Sequence, residues 1–219
     1  MTDPITSAFA HQTLESPVDL LGALFLLAIV PVLAVSVTSF TRIIVVLGML
    51  RASLGTAALP PTAVLVSLAI MLSAAIMAPT LSAIERDAIA PYQAHHISAS
   101  GAIERAERPL RSFMTRQTRV SDIRAFSRIA GIRPRSQSEP PFIVLAPAFL
   151  TNELRAAFAM GFALALPFAA IDLIVAIILM SLGMFMVSPN AISLPIKLLL
   201  FVAADGWALV AGALAASFR

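Results

Sequence analysis

The run from Phe142 to Val187 carries only three charged residues, Glu153, Arg155 and Asp172. No soluble surface accommodates so long an apolar stretch, and it exceeds the roughly 20 residues with which one helix crosses a bilayer. It is therefore expected to bend or to form a hairpin. Three more apolar blocks stand in the chain: about Val18 to Phe40, Thr62 to Ile84, and Ala191 to Phe218. A fifth piece, "IIVVLGML" between Arg42 and Arg51, is too short to span alone. The whole chain is 59% hydrophobic and 12% charged, too little charge to keep a soluble domain of this size in solution.

These blocks predict an all-α integral membrane protein of bent helical hairpins with an extramembrane helical insertion. Four regions follow: an N-terminal extension (1–17), the first two apolar segments (18–84), a charged helical region (85–141), and the last apolar segments (142–219). Prolines interrupt the apolar blocks at Pro31, Pro79, Pro147, Pro167, Pro189 and Pro195. Broken helices persist in a membrane where the freed backbone is buried in protein or lines a cavity. That pattern suits a pore or transporter component better than a simple anchor.

The charged region holds ten arginines and six acids. Within it, "RPLRSFMTRQTRVSDIRAFSRIAG" reads as one amphipathic helix with Pro109 in its first turn. Leu110, Phe113, Met114, Ile123 and Phe126 form its apolar stripe, and Arg116 its polar side. Such a stripe packs on its own protein or on a neighbour; a membrane-surface helix is the weaker reading. The arginines are confined between apolar segments with no aromatics interleaved for base stacking, which argues against nucleic acid.

Chemistry of other kinds finds little support. There is no cysteine, hence no thiolate nucleophile or Cys-bearing metal site. No G-x-S-x-G elbow or H-E-x-x-H pair occurs. His95 and His96 are adjacent rather than spaced on one helical face and read as solvated loop, so neither a metal nor a cofactor is expected. The first 41 residues contain no Lys or Arg, so the basic start of a signal peptide is missing.

Charge placement leaves the topology divided. Arg42 and Arg51 suggest that their connection faces the cytoplasm, which puts the charged region outside after two crossings. Its ten arginines argue the reverse under the positive-inside rule.

Four charges within apolar blocks, Glu153, Asp172, Lys197 and Asp205, need partners, since each costs about 2.5–3.5 kcal/mol at the centre of an inserted helix. Pairing of Lys197 with Asp172, Glu153 or Asp205, within or between subunits, is expected. Static ion pairs are favoured over a proton relay or an interface gate.

The stretch "MSLGMFMVSP" (Met180–Pro189) sets methionines beside helix breakers at the end of the long run. Methionine is unbranched and polarizable, and Gly183 and Pro189 frame a turn.

Longer motifs carry a resemblance. "TSFTRIIVVLGMLRASLGTAALPP" (Thr38–Pro61), "MAPT" (Met77–Thr80), "PLRSFMTRQTR" (Pro109–Arg119), "PAFLTNELRAAFAMGF" (Pro147–Phe162), "LPFAAIDLIVAIILMSLGMFMVSP" (Leu166–Pro189) and "SLPIKLLLFVAADGWALVAGALAASF" (Ser193–Phe218) resemble the FliP family from Leu20 to Phe218. These are flagellar export-gate proteins whose injectisome counterparts are SctR and YscR. The resemblance implies a core subunit of the flagellar type III protein export gate in the bacterial inner membrane, multi-pass and part of the flagellar basal body. It implies a homo-oligomer, a pentameric ring, assembled with FliQ and FliR and associated with FlhB and FlhA. Unfolded export substrates pass through it, and the charged region lies on the periplasmic side. It also implies that Met184, Phe185 and Met186 form a pore gasket, with Gly183 and Pro189 as the gasket turn. Phe185 stands where the family usually has a methionine, and Ser188 where a proline is common. The injectisome gate is the alternative within the same resemblance. An ion-coupled solute transporter, suggested by broken helices and intramembrane acids, lacks the internal repeat it should show.

Overall fold

In the computed structural model of the chain, the described residues are 35–56, 59–132 and 140–218, with Leu21, Leu24 and Ala28 besides. The extension 1–17 and most of the first apolar block, Pro31 included, lie outside them. The helices described below all belong to the unit Ser36–Arg219, which is separate from the unit Met1–Val35.

Helix α1, Phe40–Ser53, buries Ile43, Val46, Leu47 and Leu50. Pro61 ends the following loop and leads into α2, Thr62–Ile84. The chain remains helical past Ile84, through a π-helical turn at Glu85–Ile89 and a short helix α3, Ala90–Gln93. The change from apolar to charged sequence at Glu85 is therefore not a break in the backbone. His95 closes α3 in the left-handed conformation (φ 58°), with His96 N–H donating to the Pro91 carbonyl at 2.9 Å. This pair ends a helix in solvent, a backbone role.

The amphipathic segment differs from the single helix expected. It forms α4, Ala99–Gln117, and α5, Val120–Ile129, separated by the extended residues Thr118 and Arg119. Thr118 Oγ1 donates to the Met114 carbonyl at 2.7 Å, satisfying an end group of α4. Pro109 lies inside α4 rather than in its first turn, because the helix starts ten residues upstream at Ala99, capped by Ser98, which accepts from Gly101 N–H at 3.2 Å. One lost backbone bond is offset by the packing of the stripe: Phe113, Met114 and Ile123 are buried, with Leu110 and Phe126 packed beside them.

The long apolar run forms no hairpin within its first 40 residues. They are one uninterrupted helix, α6, Phe142–Ser181, passing through Pro147 and Pro167. At 1.5 Å per residue it is roughly 60 Å long, twice the hydrocarbon core of a bilayer. Each proline removes one donor, but 40 consecutive residues leave enough of the ladder for the helix to continue. The reversal comes only after Leu182, leading to α7, Pro189–Ala203, and α8, Gly206–Ala216. Helices α7 and α8 meet at a 65° bend.

Two apolar clusters hold these elements. One joins α1, α2, α6, α7 and α8 around Leu47, Leu50, Ala157, Phe168 and Leu214. The other joins α4 and α5 to the first half of α6 around Phe113, Met114, Leu145 and Phe149. Close approach of α1 to α6 depends on Gly161, where a Cβ would meet the Met49 side chain. The chain is an all-α membrane protein: among the described residues no strand occurs, and the helices Thr62–Gln93 and Phe142–Ser181 have the length and composition to cross a bilayer.

Candidate functional site: a methionine loop on a charged stem

Gly183 ends α6 with φ 74°. Its N–H donates to the Met180 carbonyl at 3.1 Å, and the Met184 N–H donates to the Leu179 carbonyl at 2.9 Å. This is a Schellman closure, in which a residue without a Cβ takes the left-handed position. Across the loop, Ser188 is the residue before α7 and Pro189 its first residue, where a missing N–H costs nothing. Gly183 and Pro189 thus frame a reversal whose tip is Met184, Phe185 and Met186. These side chains are 41%, 79% and 99% exposed. Large apolar side chains so exposed at the end of two apolar helices are available for contact with another surface.

Below the loop, α6 and α7 are joined by charge. Lys197 Nζ donates to Asp172 Oδ2 at 2.6 Å and to the Ser53 carbonyl at 3.0 Å. Ser193 Oγ donates to Asp172 Oδ1 at 2.6 Å. Ser193 and Lys197 are one helical turn apart on α7, so both reach the same carboxylate. Ser53 is the last residue of α1, and its carbonyl is one of the end groups a helix cannot satisfy internally. A single lysine of α7 therefore ties the end of α1 to α6. Asn190 adds a neighbouring contact, for its side chain lies where a Cβ on Gly55 (φ 80°) would stand.

The other charges have different partners. Glu153, fully buried, pairs with Arg42 of α1, whose Nε donates to Glu153 Oε2 at 2.9 Å while Nη2 bonds the second oxygen. Arg42 Nη1 donates to the Ser217 carbonyl at 2.9 Å and to Ser217 Oγ at 3.0 Å. Its guanidinium lies 3.8 Å from the centre of the Phe218 ring. Gln117 Nε2 donates to the Phe218 carbonyl at 3.1 Å, which brings the end of α4 to the same cluster. Arg155 forms a two-bond pair with Asp122 of α5 at 2.7 and 3.1 Å. Asp205 is exposed, in the left-handed conformation (φ 50°) at the bend between α7 and α8. It stands apart from the Lys197 pair, and its place among the buried charges gives way to a backbone role.

Of the three acids set against Lys197, the structure brings Asp172 to it and sends Glu153 to Arg42. Sequence reasoning missed Arg42 because it took that residue for a loop charge facing the cytoplasm. Arg42 is 3% exposed, so it says nothing about which side its segment faces. The signal that could have found it is the cost of Glu153 itself: a carboxylate in an apolar helix requires a cation. In the central helix, Phe113 contacts Phe149 edge-on at 5.9 Å and stacks on Phe218 at 6.3 Å. Phe126 packs on the same cluster, and Arg116 Nη1 donates to Ser112 Oγ at 2.8 Å on the exposed side.

Helices of this length and composition, with an exposed apolar loop at the end of a hairpin tied by an ion pair, define a multi-helix membrane protein that presents an apolar tip. Residues 23–214 match the model of the FliP family. The chain belongs to that family. It is 46% identical over its full length to the flagellar biosynthetic protein FliP of Pectobacterium carotovorum subsp. carotovorum, covering 84% of that protein. It is 46% identical over 91% of its length to the namesake in Cereibacter sphaeroides, covering 67% of that protein. Identity to the Bacillus subtilis (strain 168) protein of the same name is 41%, over 98% of this chain and 97% of that one.

Proposed function

We propose that the chain is a core subunit of the flagellar type III protein export gate, without enzymatic activity of its own. With FliQ and FliR it forms the channel through which unfolded flagellar proteins cross the inner membrane. The observation that carries this reading is the loop Met184–Met186, fully apolar and exposed, held at the tip of the α6–α7 hairpin.

Identical subunits in a closed ring, a pentamer here, place identical loops around one axis. Methionines from each subunit then meet with no fixed partner geometry, close against small ions, and deform around a passing chain. Phe185 makes this ring stiffer than one of methionine alone. The charged region 85–141 lies on the periplasmic side, and FlhB and FlhA sit at the cytoplasmic entrance. The family, whose relatives are named as flagellar biosynthetic proteins, supports the flagellar over the injectisome assignment.

Deletion of the gene, with hook and filament proteins measured in the medium, tests the assignment. Loss of both, recovered when the gene is restored, is expected; normal export overturns it. Met184→Ala/Met186→Ala tests the gasket. It is expected to raise small-ion leakage of energised membranes, and an unchanged leak would remove the loop from the seal.

A further inference from the structure

Four exposed arginines line one groove of the charged region. Arg86, from the π-helical turn after α2, stands on one wall, and Arg105, Arg108 and Arg116 of α4 stand on the other, around a volume of about 1030 Å³. The three on α4 recur at helical spacing and so share one face. Asp87 and Glu104 line the groove too, pairing with Arg86 and Arg108 at 2.8 Å each. Exposed pairs of this kind contribute little, and each guanidinium keeps further donors for another acceptor. Among the described residues Arg105 has no hydrogen bond or ion pair, and Arg116 bonds only the uncharged Ser112. Four cations against two anions leave the groove positive.

The arginines form a row rather than a ring. Arg116 lies 11 positions after Arg105, a rise of roughly 16 Å along α4. One small oxyanion cannot reach both ends. Gly101 and Ser112, before the row and within it, are small, which leaves room for a chain along this face. The described surface of a second copy is a poor match. Its exposed charges along α5 are Arg119, Arg124 and Arg128, and its exposed acids outside the groove, Glu85 and Asp205, stand singly.

We propose that this groove receives an extended acidic segment of another protein, with its carboxylates along the row Arg105, Arg108 and Arg116. Extended backbone rises about 3.3 Å per residue, so five or six residues cover the row. Alternate side chains then face α4 at intervals of about 7 Å. Arginine suits the task because its planar fork matches both oxygens of a carboxylate. Asp87 and Glu104 repel a polymer charged at every unit, whereas a peptide can set neutral residues against them. No aromatic side chain lines the groove, so it lacks the stacking platform on which single-stranded nucleic acid is held. None of these residues belongs to the methionine loop or its charged stem, so failure of either reading leaves the other standing.

The test uses the full-length chain in an uncharged detergent and the fluorescence anisotropy of two labelled octapeptides, one of alternating Glu and Ala, the other of alternating Gln and Ala. Arg105→Gln/Arg116→Gln, at the two ends of the row, is compared with Arg105→Lys/Arg116→Lys. Arg124→Gln/Arg128→Gln removes the same charge from exposed positions of α5 outside the groove. Unchanged elution volume and helicity show that each variant is folded. Wild type is expected to bind the Glu peptide saturably and the Gln peptide not at all. The groove glutamine variant should bind the Glu peptide about tenfold more weakly. The lysine variant should keep most of the affinity, and the α5 variant all of it. Equal affinity of wild type for the two peptides, or equal weakening in the groove and α5 glutamine variants, overturns the proposal, the second by reducing it to diffuse charge. Displacement of the Glu peptide by inorganic phosphate or polyphosphate at the peptide's own concentration overturns the acidic segment as occupant and makes the groove a phosphate site.

Discussion

Arg42 and Glu153 are separated by 111 positions and meet as a buried two-bond ion pair. Around it converge α1, α6, the end of α4 at Gln117, and the chain end at Ser217 and Phe218. Removing either partner strands the other in an apolar interior. Glu153→Ala or Arg42→Ala should each destabilise the fold by about 3–5 kcal/mol. The double change to apolar residues should cost less than the sum, because no buried charge is then left alone. Unfolding titrations in detergent micelles measure all three; strict additivity would show that the residues do not act as a pair.

The Lys197–Asp172 pair is lopsided, with side chains 1% and 44% exposed. This asymmetry sets the order of two substitutions. Lys197→Met leaves a carboxylate that water can reach, so about 1 kcal/mol is lost. Asp172→Asn leaves the buried ammonium without its counter-charge and should cost about 3 kcal/mol or more. The same unfolding assay checks the order, and a larger loss for Lys197→Met would reverse the argument.

At Gly183 a Cβ would meet nothing within 4 Å, while the backbone φ is 74°. The penalty for a side chain is therefore conformational alone. Gly183→Val should cost about 1–2 kcal/mol and disturb the reversal before Met184, whereas Gly183→Asn should cost less, since asparagine enters the left-handed region more readily. Export of hook protein, read beside thermal stability, should fall in the same order.

Two glycines of α8 make a matched pair. A Cβ on Gly206 would run into the Phe201 ring, which is buried and also held by edge contact with Trp207 at 5.2 Å. A Cβ on Gly212 would meet nothing within 4 Å. Gly206→Ala should lower stability by about 1–3 kcal/mol through overpacking. Gly212→Ala should be neutral or stabilise by a few tenths of a kcal/mol through helix propensity. Circular dichroism melts of the two variants separate the cases.

Hydropathy along the chain by itself determined that the protein is helical, membrane-embedded and divided by a charged insert, because apolar runs of this length have no other stable form. Local chemistry likewise placed the turn at Gly183 and the helix start at Pro189, since both depend on backbone preferences of single residues. The apolar stripe Leu110, Phe113, Met114, Ile123 and Phe126 was legible from its spacing. Its division into α4 and α5 was not, for Thr118 leaves the helix only where its hydroxyl and the packing on α6 allow it. What tertiary structure alone decided was the pairing of charges. Glu153 and Asp172 look alike along the sequence, both acids in one apolar run. They lie on different parts of a helix roughly 60 Å long, so one reaches Arg42 and the other Lys197. Sequence order carries the need for a partner, as a cost of burial, but the partner's identity is a distance, and distances between helices exist only once they have packed.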